Sequence, residues 1–423
     1  MGKSTLFNRI IGKRLAIVED TPGITRDRIY GRAEWLGVPF TVIDTGGLDF
    51  GSDDSVSSAV RAQAQVAIDE ADVVLFLVDA REGITSNDRA IADILRRTTK
   101  PVILVANKVE NFADDYSFLD FCELGFGEPI RISAAHGQNV GDLLDAVISH
   151  RPPSRIAGYD EDAIKIAVVG RPNVGKSSLV NAILGQERSI VHDAPGTTRD
   201  AIDTEFYRDG QHYVIIDTAG LRRKGRILDS IERYSVLRTL RAIDECDVSL
   251  VLLDATEGVT DQDARIAGYV DESGKAMCLL VNKWDAIQKD SNTAREFELT
   301  IRHTMVFAHY APILFVSAKT GLRIDRIFST ISEVIAQYRR QVPSSLLNEI
   351  LEEAVLRNPP PSRRGKPLSV YFMTQIGTSP PRFRIFVNKA DRMHFSYLRY
   401  IENELRSALG FEGTPIKLFV AER

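Results

Sequence analysis

Three cysteines in 423 residues, Cys122, Cys246 and Cys278, stand apart from one another with no C-x-x-C pair. That scarcity excludes a disulfide scaffold and a cysteine-built zinc site, and it suits a reducing compartment. No apolar run nears the length that crosses a bilayer, and the N-terminus lacks the core of a signal peptide. A cytoplasmic protein without a membrane span is therefore expected. The Met1-Gly2 start gives no acylation signal, because position 6 is Leu where Ser or Thr is wanted. Charge of one sign is also missing: 53 Lys and Arg oppose 58 Asp and Glu, for a net charge of −5. Any basic surface must then be local, and no feature points to DNA. What remains, 44% hydrophobic and 26% charged residues, is ordinary globular composition on a chain long enough for two or three domains.

The stretch that organises the chain is Gly170-Arg171-Pro172-Asn173-Val174-Gly175-Lys176-Ser177, which follows the apolar run 164–169 and precedes Ser178 and a predicted helix to Leu184. A buried strand, a Gly-x-x-x-x-Gly-Lys-Ser loop and a helix N-terminus together form a cradle for a nucleotide's phosphates. Lys176 is expected to neutralise the β- and γ-phosphates and Ser177 to bind Mg²⁺ through its hydroxyl, while Gly170 and Gly175 permit backbone shapes that a Cβ would obstruct. The bland alternative is a Gly-rich turn between a strand and a helix.

The beginning of the chain repeats this stretch. Gly2-Lys3-Ser4-Thr5-Leu6 matches the run 175–179, Pro22-Gly23 matches Pro195-Gly196, Thr25-Arg26-Asp27 matches Thr198-Arg199-Asp200, and Asp44-Thr45 matches Asp217-Thr218. The chain is an internal duplication. Met1 takes the place of Val174, so the first copy lacks its opening strand and half of its phosphate loop. A valine codon read as a start, or a truncated piece, accounts for this, and either predicts a longer natural chain. The missing strand is expected to leave a central gap in the first sheet.

Within the first copy the strand FTVID leads into Asp44-Thr45-Gly46-Gly47 and Leu48, a D-x-x-G whose carboxylate can reach Mg²⁺ through water. A helix is predicted over 55–70, a strand over 72–78, a helix over 87–97 and strands over 102–105 and 130–132. The last two run into Asn107-Lys108-Val109-Glu110 and Ser133-Ala134. Alternating strands and helices predict a parallel α/β sheet with its ligand at the carboxyl ends of the strands. The second copy supplies the same series intact: Asp217-Thr218-Ala219-Gly220 and Leu221, a strand over 248–253, Asn282-Lys283-Trp284-Asp285, and Ser317-Ala318-Lys319. The N-K-x-D element chooses the base. Asp285 can accept from guanine N1–H and the 2-amino group, whereas adenine would leave that carboxylate unpaired. Asn282 and Lys283 are expected to brace the loop, and the Ala318 N–H to meet guanine O6.

Paired domains with P-G-[IT]-T-R-D and D-T-[AG]-G resemble the Der (EngA) family of tandem GTPases, a branch of the Era-like group. The resemblance covers essentially the whole chain and implies two Ras-like P-loop domains in tandem. Each is expected to be a mostly parallel sheet flanked by helices, with a C-terminal α+β KH-like domain behind them. It also implies GTP hydrolysis coupled to assembly of the large ribosomal subunit through its rRNA. The first copy departs from the pattern at Glu110, one methylene longer than Asp, and at Ser133-Ala134-Ala135. Ras-like enzymes hold the attacking water with a Gln just after D-x-x-G, but here Leu48 and Leu221 stand there. Slow intrinsic turnover is one reading. The other, borrowed from related GTPases, has Asn173 help hold K⁺ at the phosphates in place of an arginine finger. Lys3 and Lys176 are the expected catalytic cations, and Thr25 and Thr198 the expected switch ligands of Mg²⁺ beside Ser4 and Ser177. The basic run 222–226 is open between a solvated face and a contact with RNA or a partner.

Domain bounds follow: residues 1–150 for the first G domain, 151–163 for a Pro-rich acidic linker, 164–341 for the second G domain and 342–423 for the KH-like domain. In the last, a Ser-capped helix is predicted over 345–357, strands over 368–374 and 382–387, a helix over 395–409 ended by Gly410, and a strand over 416–420. Residues 346–423 carry 12 Lys and Arg against 8 Asp and Glu, a local positive balance. No G-x-x-G loop is present to clamp a nucleic-acid backbone, so packing on the G domains is an equal alternative to RNA contact. His394, Tyr397 and Tyr400 are either base-stacking groups or ordinary helix packing. A monomeric GTPase is expected. A GTP-controlled protein-binding switch and a P-loop kinase are the other readings, and the guanine-reading loops count against the last.

Overall fold

The computed structural model describes residues 1–11, 16–18, 29–36, 38–44, 68, 71–109, 117–150, 160, 162–185, 190–191, 203–218, 235–360 and 368–423. The chain divides into two units, Met1–Ala157 and Gly158–Arg423.

In the first unit, helix α1 (Lys3–Ile11) is followed by strands β1 (Ala16–Val18), β2 (Ile29–Trp35) and β3 (Val38–Asp44), an antiparallel sheet in the order β1-β2-β3. A second sheet, β4 (Val74–Asp79), β5 (Val102–Asn107) and β6 (Ile130–Arg131), is parallel. Helices α2 (Ser86–Leu95) and α3 (Val140–Ser149) flank it. The apolar runs of β4 and β5 are sorted by the two-residue period of a strand. Phe76, Val78, Leu104 and Ala106 pack in one cluster with Ala92 and Leu95 of α2. Leu77, Ile103 and Val105 pack in another with Leu6 of α1 and Leu143 and Leu144 of α3.

The second unit holds a single seven-stranded sheet. Its strands are β7 (Ile164–Gly170), β8 (Ile190–Val191), β9 (Thr204–Arg208), β10 (Gln211–Ile215), β11 (Val248–Asp254), β12 (Ala276–Asn282) and β13 (Ile313–Phe315). Their order is β13-β12-β11-β7-β10-β9-β8. Helices α4 (Lys176–Leu184), α5 (Ser235–Glu245), α6 (Asp261–Glu272), α7 (Thr293–Thr304) and α8 (Ile324–Tyr338) alternate with them. β7 is the hinge of this order, because it pairs in parallel with β10 on one side and β11 on the other. In the first unit β3 and β4 occupy the positions of β10 and β11, and no strand joins them among the described residues. The central gap expected from the sequence is what separates the two three-stranded sheets. The helix predicted over 55–70 lies outside the described residues apart from Ile68.

The tail folds as α9 (Ser344–Arg357), β14 (Val370–Gly377), β15 (Arg382–Val387), α10 (Phe395–Leu409) and β16 (Lys417–Glu422). Its sheet pairs β14 with β15 antiparallel and β15 with β16 parallel, an α+β unit. The helix start expected at a Ser cap is corrected: the N-cap is Pro343, in extended backbone with φ −60° and ψ 140°, and no side chain caps the helix. A fixed proline φ is enough to launch the first turn, which places both serines inside it. The strand expected over 368–374 begins two residues later, at Val370.

The tail packs against the second nucleotide-type domain through backbone as well as side chains. Met277 N–H donates to Gly413 O and Gly413 N–H to Tyr310 O, each at 2.8 Å, and Arg340 Nη1 donates to Leu409 O at 2.6 Å. Gly413 has φ +69° and lies so close to Val334 that a Cβ would overlap it. Tyr397 and Tyr400 donate their hydroxyls to Asn358 O and Ala354 O at 2.8 and 2.9 Å, which ties α10 to the end of α9. Helix packing is therefore their role in this fold. His394 caps α10, accepting from Ser396 N–H.

Candidate functional site

β7 delivers the chain into a loop whose shape depends on two glycines. Gly170 has φ +148°, and a Cβ there would sit 2.7 Å from Leu252 O on the neighbouring strand. Gly175 has φ +102° and is the N-cap of α4 without any side-chain cap, so the first-turn N–H groups of α4 have no partner from a capping side chain. Asn173, at the exposed crest with Pro172, is also left-handed at φ +62°. The loop is closed by Lys176, whose ammonium donates to Gly170 O at 2.7 Å and Arg171 O at 2.6 Å. Burial pushes this ammonium down to about 8 from the ordinary 10.5. Ser177 is half-buried in the first turn and Ser178 is exposed, while Val174 is buried beneath the loop.

At the end of β12, Asn282 joins two loops at once. Its Nδ2 donates to Val174 O at 2.8 Å, passing through the space that a Cβ on Gly175 would fill, and its Oδ1 accepts from Ala318 N–H at 3.0 Å. The Ala318 N–H expected to meet guanine O6 is engaged by Asn282 in this structure, and a base carbonyl would share it. Lys283 adopts φ +59° and sets its ammonium 2.5 Å from Asp254 Oδ2. Burial alone would raise the Asp254 carboxyl, but hydrogen bonds from Lys283 and Thr256 outweigh it and hold the group below the usual range. Trp284 is buried against Phe315 and Phe297, with ring centroids 4.3 and 5.5 Å away. Asp285 is exposed. Ser317 Oγ donates to it at 2.5 Å, and that bond keeps the carboxylate ionised below its ordinary range. Lys319 is exposed beside it.

After β10, Asp217 turns with φ +55° and its N–H donates to Asp203 Oδ1 at 2.7 Å. Thr218 is buried, its hydroxyl 2.7 Å from that of Thr204. Ala219, Gly220, Leu221 and Thr198, and with them the basic run 222–226, lie outside the described residues.

The first unit reproduces the base loop in detail. Asn107 Nδ2 donates to Met1 O at 2.8 Å, its Oδ1 accepts from Ala134 N–H at 2.9 Å, Lys108 at φ +66° pairs with Asp79, and Val109 is buried where Trp284 is. Gly2 has φ +85° and faces Asn107 as Gly175 faces Asn282. Lys3 follows it half-buried, Ser4 and Thr5 are exposed on α1, Ser133 is buried, and Asp44 is buried at the end of β3. Thr25, Thr45, Gly46, Gly47, Leu48 and Glu110 lie outside the described residues. In each unit the structure thus brings the glycine-lysine loop and the Asn-Lys loop to one end of the sheet.

Besides Asp79 and Asp254, which meet Lys108 and Lys283, sequence reasoning missed the buried carboxylates Asp88 and Asp263. Each is the N3 residue of a capping box, with Thr85 on α2 and Thr260 on α6. The signal was available as a Thr-x-x-Asp repeated in both copies.

Two family models match the chain. One, described as a 50S ribosome-binding GTPase, matches residues 1–108 and 165–283; the other, described as the KH-domain-like C-terminal part of EngA bacterial GTPase enzymes, matches residues 341–420. The chain is 56% identical to the GTPase Der of Caldanaerobacter subterraneus subsp. tengcongensis and equally to that of a Thermoanaerobacter species, over 100% of this chain and 96% of each relative. The GTPase Der of Thermoanaerobacter pseudethanolicus is 55% identical over the same shares. Among the described residues no helix is long and apolar enough to cross a membrane.

Proposed function

The chain is a GTPase of the Der family, and from that premise we propose that residues 170–177 with 282–285 and 317–319, and residues 2–5 with 107–110 and 133–134, are two guanine-nucleotide sites serving large-subunit assembly. The observation that carries the site assignment is the double use of Asn282. One amide joins the phosphate loop through Val174 O to the base loop through Ala318 N–H, so the two ends of a nucleoside triphosphate are registered against each other. Asn107 does the same between Met1 and Ala134.

In this scheme the chain's own groups do the following. The N–H groups of α4's first turn and of the loop receive the phosphates. Lys176 exchanges the carbonyls of Gly170 and Arg171 for phosphate oxygens and neutralises charge as it develops on the transferred group. Ser317 orients the Asp285 carboxylate toward the guanine edge. Ser177 and Thr198, with Ser4 and Thr25 in the first unit, are the hydroxyl donors that would hold Mg²⁺, with Asp217 and Asp44 reaching it through water, and such oxygens suit that hard cation. Bound there, Mg²⁺ would neutralise charge on the phosphates.

Asn173 is proposed to aid binding of K⁺. Its side chain is exposed at the crest of the loop, where a second cation can offset phosphate charge, Leu221 standing where Ras-like enzymes carry the Gln. The expected result is faster GTP turnover in potassium than in sodium chloride at equal ionic strength, with the difference abolished by Asn173→Ala. Equal rates in the two salts remove Asn173 from this role.

Linker composition over 151–163 suits a nucleotide-dependent rearrangement of the two G domains in a monomeric cytoplasmic protein that touches rRNA. Sedimentation with ribosomal subunits in GTP, GDP and a non-hydrolysable GTP analogue tests the assembly reading. Comigration with the large subunit in the analogue is expected. Absence of comigration in every state returns the protein to a GTP-controlled switch that binds another partner.

A further inference from the structure

Arg171, the first variable residue of the phosphate loop, is held by two acids outside the loop. Its Nε donates to Asp263 Oδ1 at 2.9 Å and its Nη1 to Glu257 Oε2 at 2.8 Å. Asp263 is fully buried, while Glu257 is exposed, so the first pair is the shielded one.

The two oxygens of Asp263 have separate partners. Oδ2 starts α6, accepting from Thr260 N–H at 3.0 Å and from the Thr260 hydroxyl at 2.9 Å. Oδ1 goes to Arg171. The first unit shows that the cap needs only one of them. Asp88 Oδ2 accepts from Thr85 N–H at 2.9 Å and from its hydroxyl at 2.7 Å, and Asp88 Oδ1 is buried without a hydrogen-bond partner. Leaving a buried carboxylate oxygen unmatched is costly, and glutamine or serine chemistry would cap a helix without it. In the second unit the oxygen that the cap does not need is taken by the guanidinium of the phosphate loop.

We propose that Asp263 is a positioning residue of the second nucleotide site: by gripping Arg171 it fixes the backbone at Gly170 and Arg171, and so keeps the loop in the shape that receives phosphates. Those two residues present the carbonyls that hold Lys176, at 2.7 and 2.6 Å. Asp263 touches no phosphate; it acts through Arg171, given the reading of 170–177 as the phosphate site. A loop pinned to a helix at its first variable residue loses less freedom when it closes on a ligand than a loose one.

The test uses the full chain with Lys3→Ala, so that binding of a fluorescent GTP analogue reports the second site. Asp263→Asn and Arg171→Met are each expected to raise Kd roughly tenfold, the scale of a lost supporting contact behind a ligand-binding group. The double variant should be no weaker than the weaker single one, because both remove one interaction. Thr260→Ala breaks the cap but spares the Arg171 contact; it should lower Tm and leave Kd unchanged. Wild-type Kd in Asp263→Asn and Arg171→Met, additive losses in the double variant, or an equal loss of affinity in Thr260→Ala overturns the assignment. If Asp263→Asn fails to fold, Arg171→Met carries the same outcomes. Lys176→Ala in the same background separates the two levels: retained affinity there defeats the phosphate-site reading itself.

Discussion

Lys176→Ala is expected to lower the affinity of the second domain for GTP by about a hundredfold or more, which corresponds to two charge-assisted hydrogen bonds of roughly 1.5–3 kcal/mol each. In the free protein these bonds run to Gly170 O and Arg171 O; on the proposed site they are exchanged for phosphate oxygens of full charge. Titration of a fluorescent GTP analogue in the Lys3→Ala background measures the change, and an affinity within threefold of the parent would contradict the role. The same lysine gives a pH signature. Burial holds its ammonium down to about 8, and anionic phosphates favour the charged form, so binding takes up a proton above that pH. Affinity should be flat below pH 8 and fall toward tenfold per unit above it. Folding stability has the opposite sign. The native state binds fewer protons than the unfolded chain between about 8 and 10.5, so this group makes the free protein more stable as pH rises through that window.

Asp285→Asn should exchange the base. The carboxylate accepts from guanine N1–H and the 2-amino group, while an asparagine must turn one N–H donor toward that amino group. Xanthine carries a carbonyl at that carbon and keeps N1–H, which matches the amide's donor and acceptor. A loss of GTP affinity of about a hundredfold or more, with a gain for xanthosine triphosphate, is expected from the asymmetry between a satisfied and an unsatisfied polar group. Competition between the two nucleotides at fixed Mg²⁺ reads the ratio directly; an unchanged preference for GTP would show that Asp285 does not read the base. Ser317 donates to Asp285 at 2.5 Å and would be an equally good donor to the amide oxygen, so the loop itself should keep its shape.

The fold was legible where the chemistry is local. Apolar runs located β7 and β11, because strands buried on both faces leave no other pattern, and Phe395–Leu409 was read to the residue because Gly410 stops it. The loops of the site were legible for a related reason: Gly170 and Gly175 occupy backbone conformations that other residues avoid. What escaped were pairings across long separations in sequence. Ala318 and Asn282 are 36 residues apart, Arg171 and Asp263 are 92 apart, and no local rule joins them. The start of α9 was misread because a proline and two serines all favour a helix N-terminus, and only the backbone reveals which one takes the cap.

The join at Gly413 has a further consequence. β13 pairs with β12 only from Leu279 onward, and the N–H of Met277 is met instead by the tail. Tyr338, at the end of α8, accepts Ser379 N–H of the tail on its own carbonyl at 3.0 Å. The second domain is expected to end near Gln341, yet the tail meets a backbone donor of its sheet and a carbonyl of its last helix. The boundary drawn by motifs thus runs through one compact unit, Gly158–Arg423, and severing the chain there would strip the enzyme's core of part of its own wall.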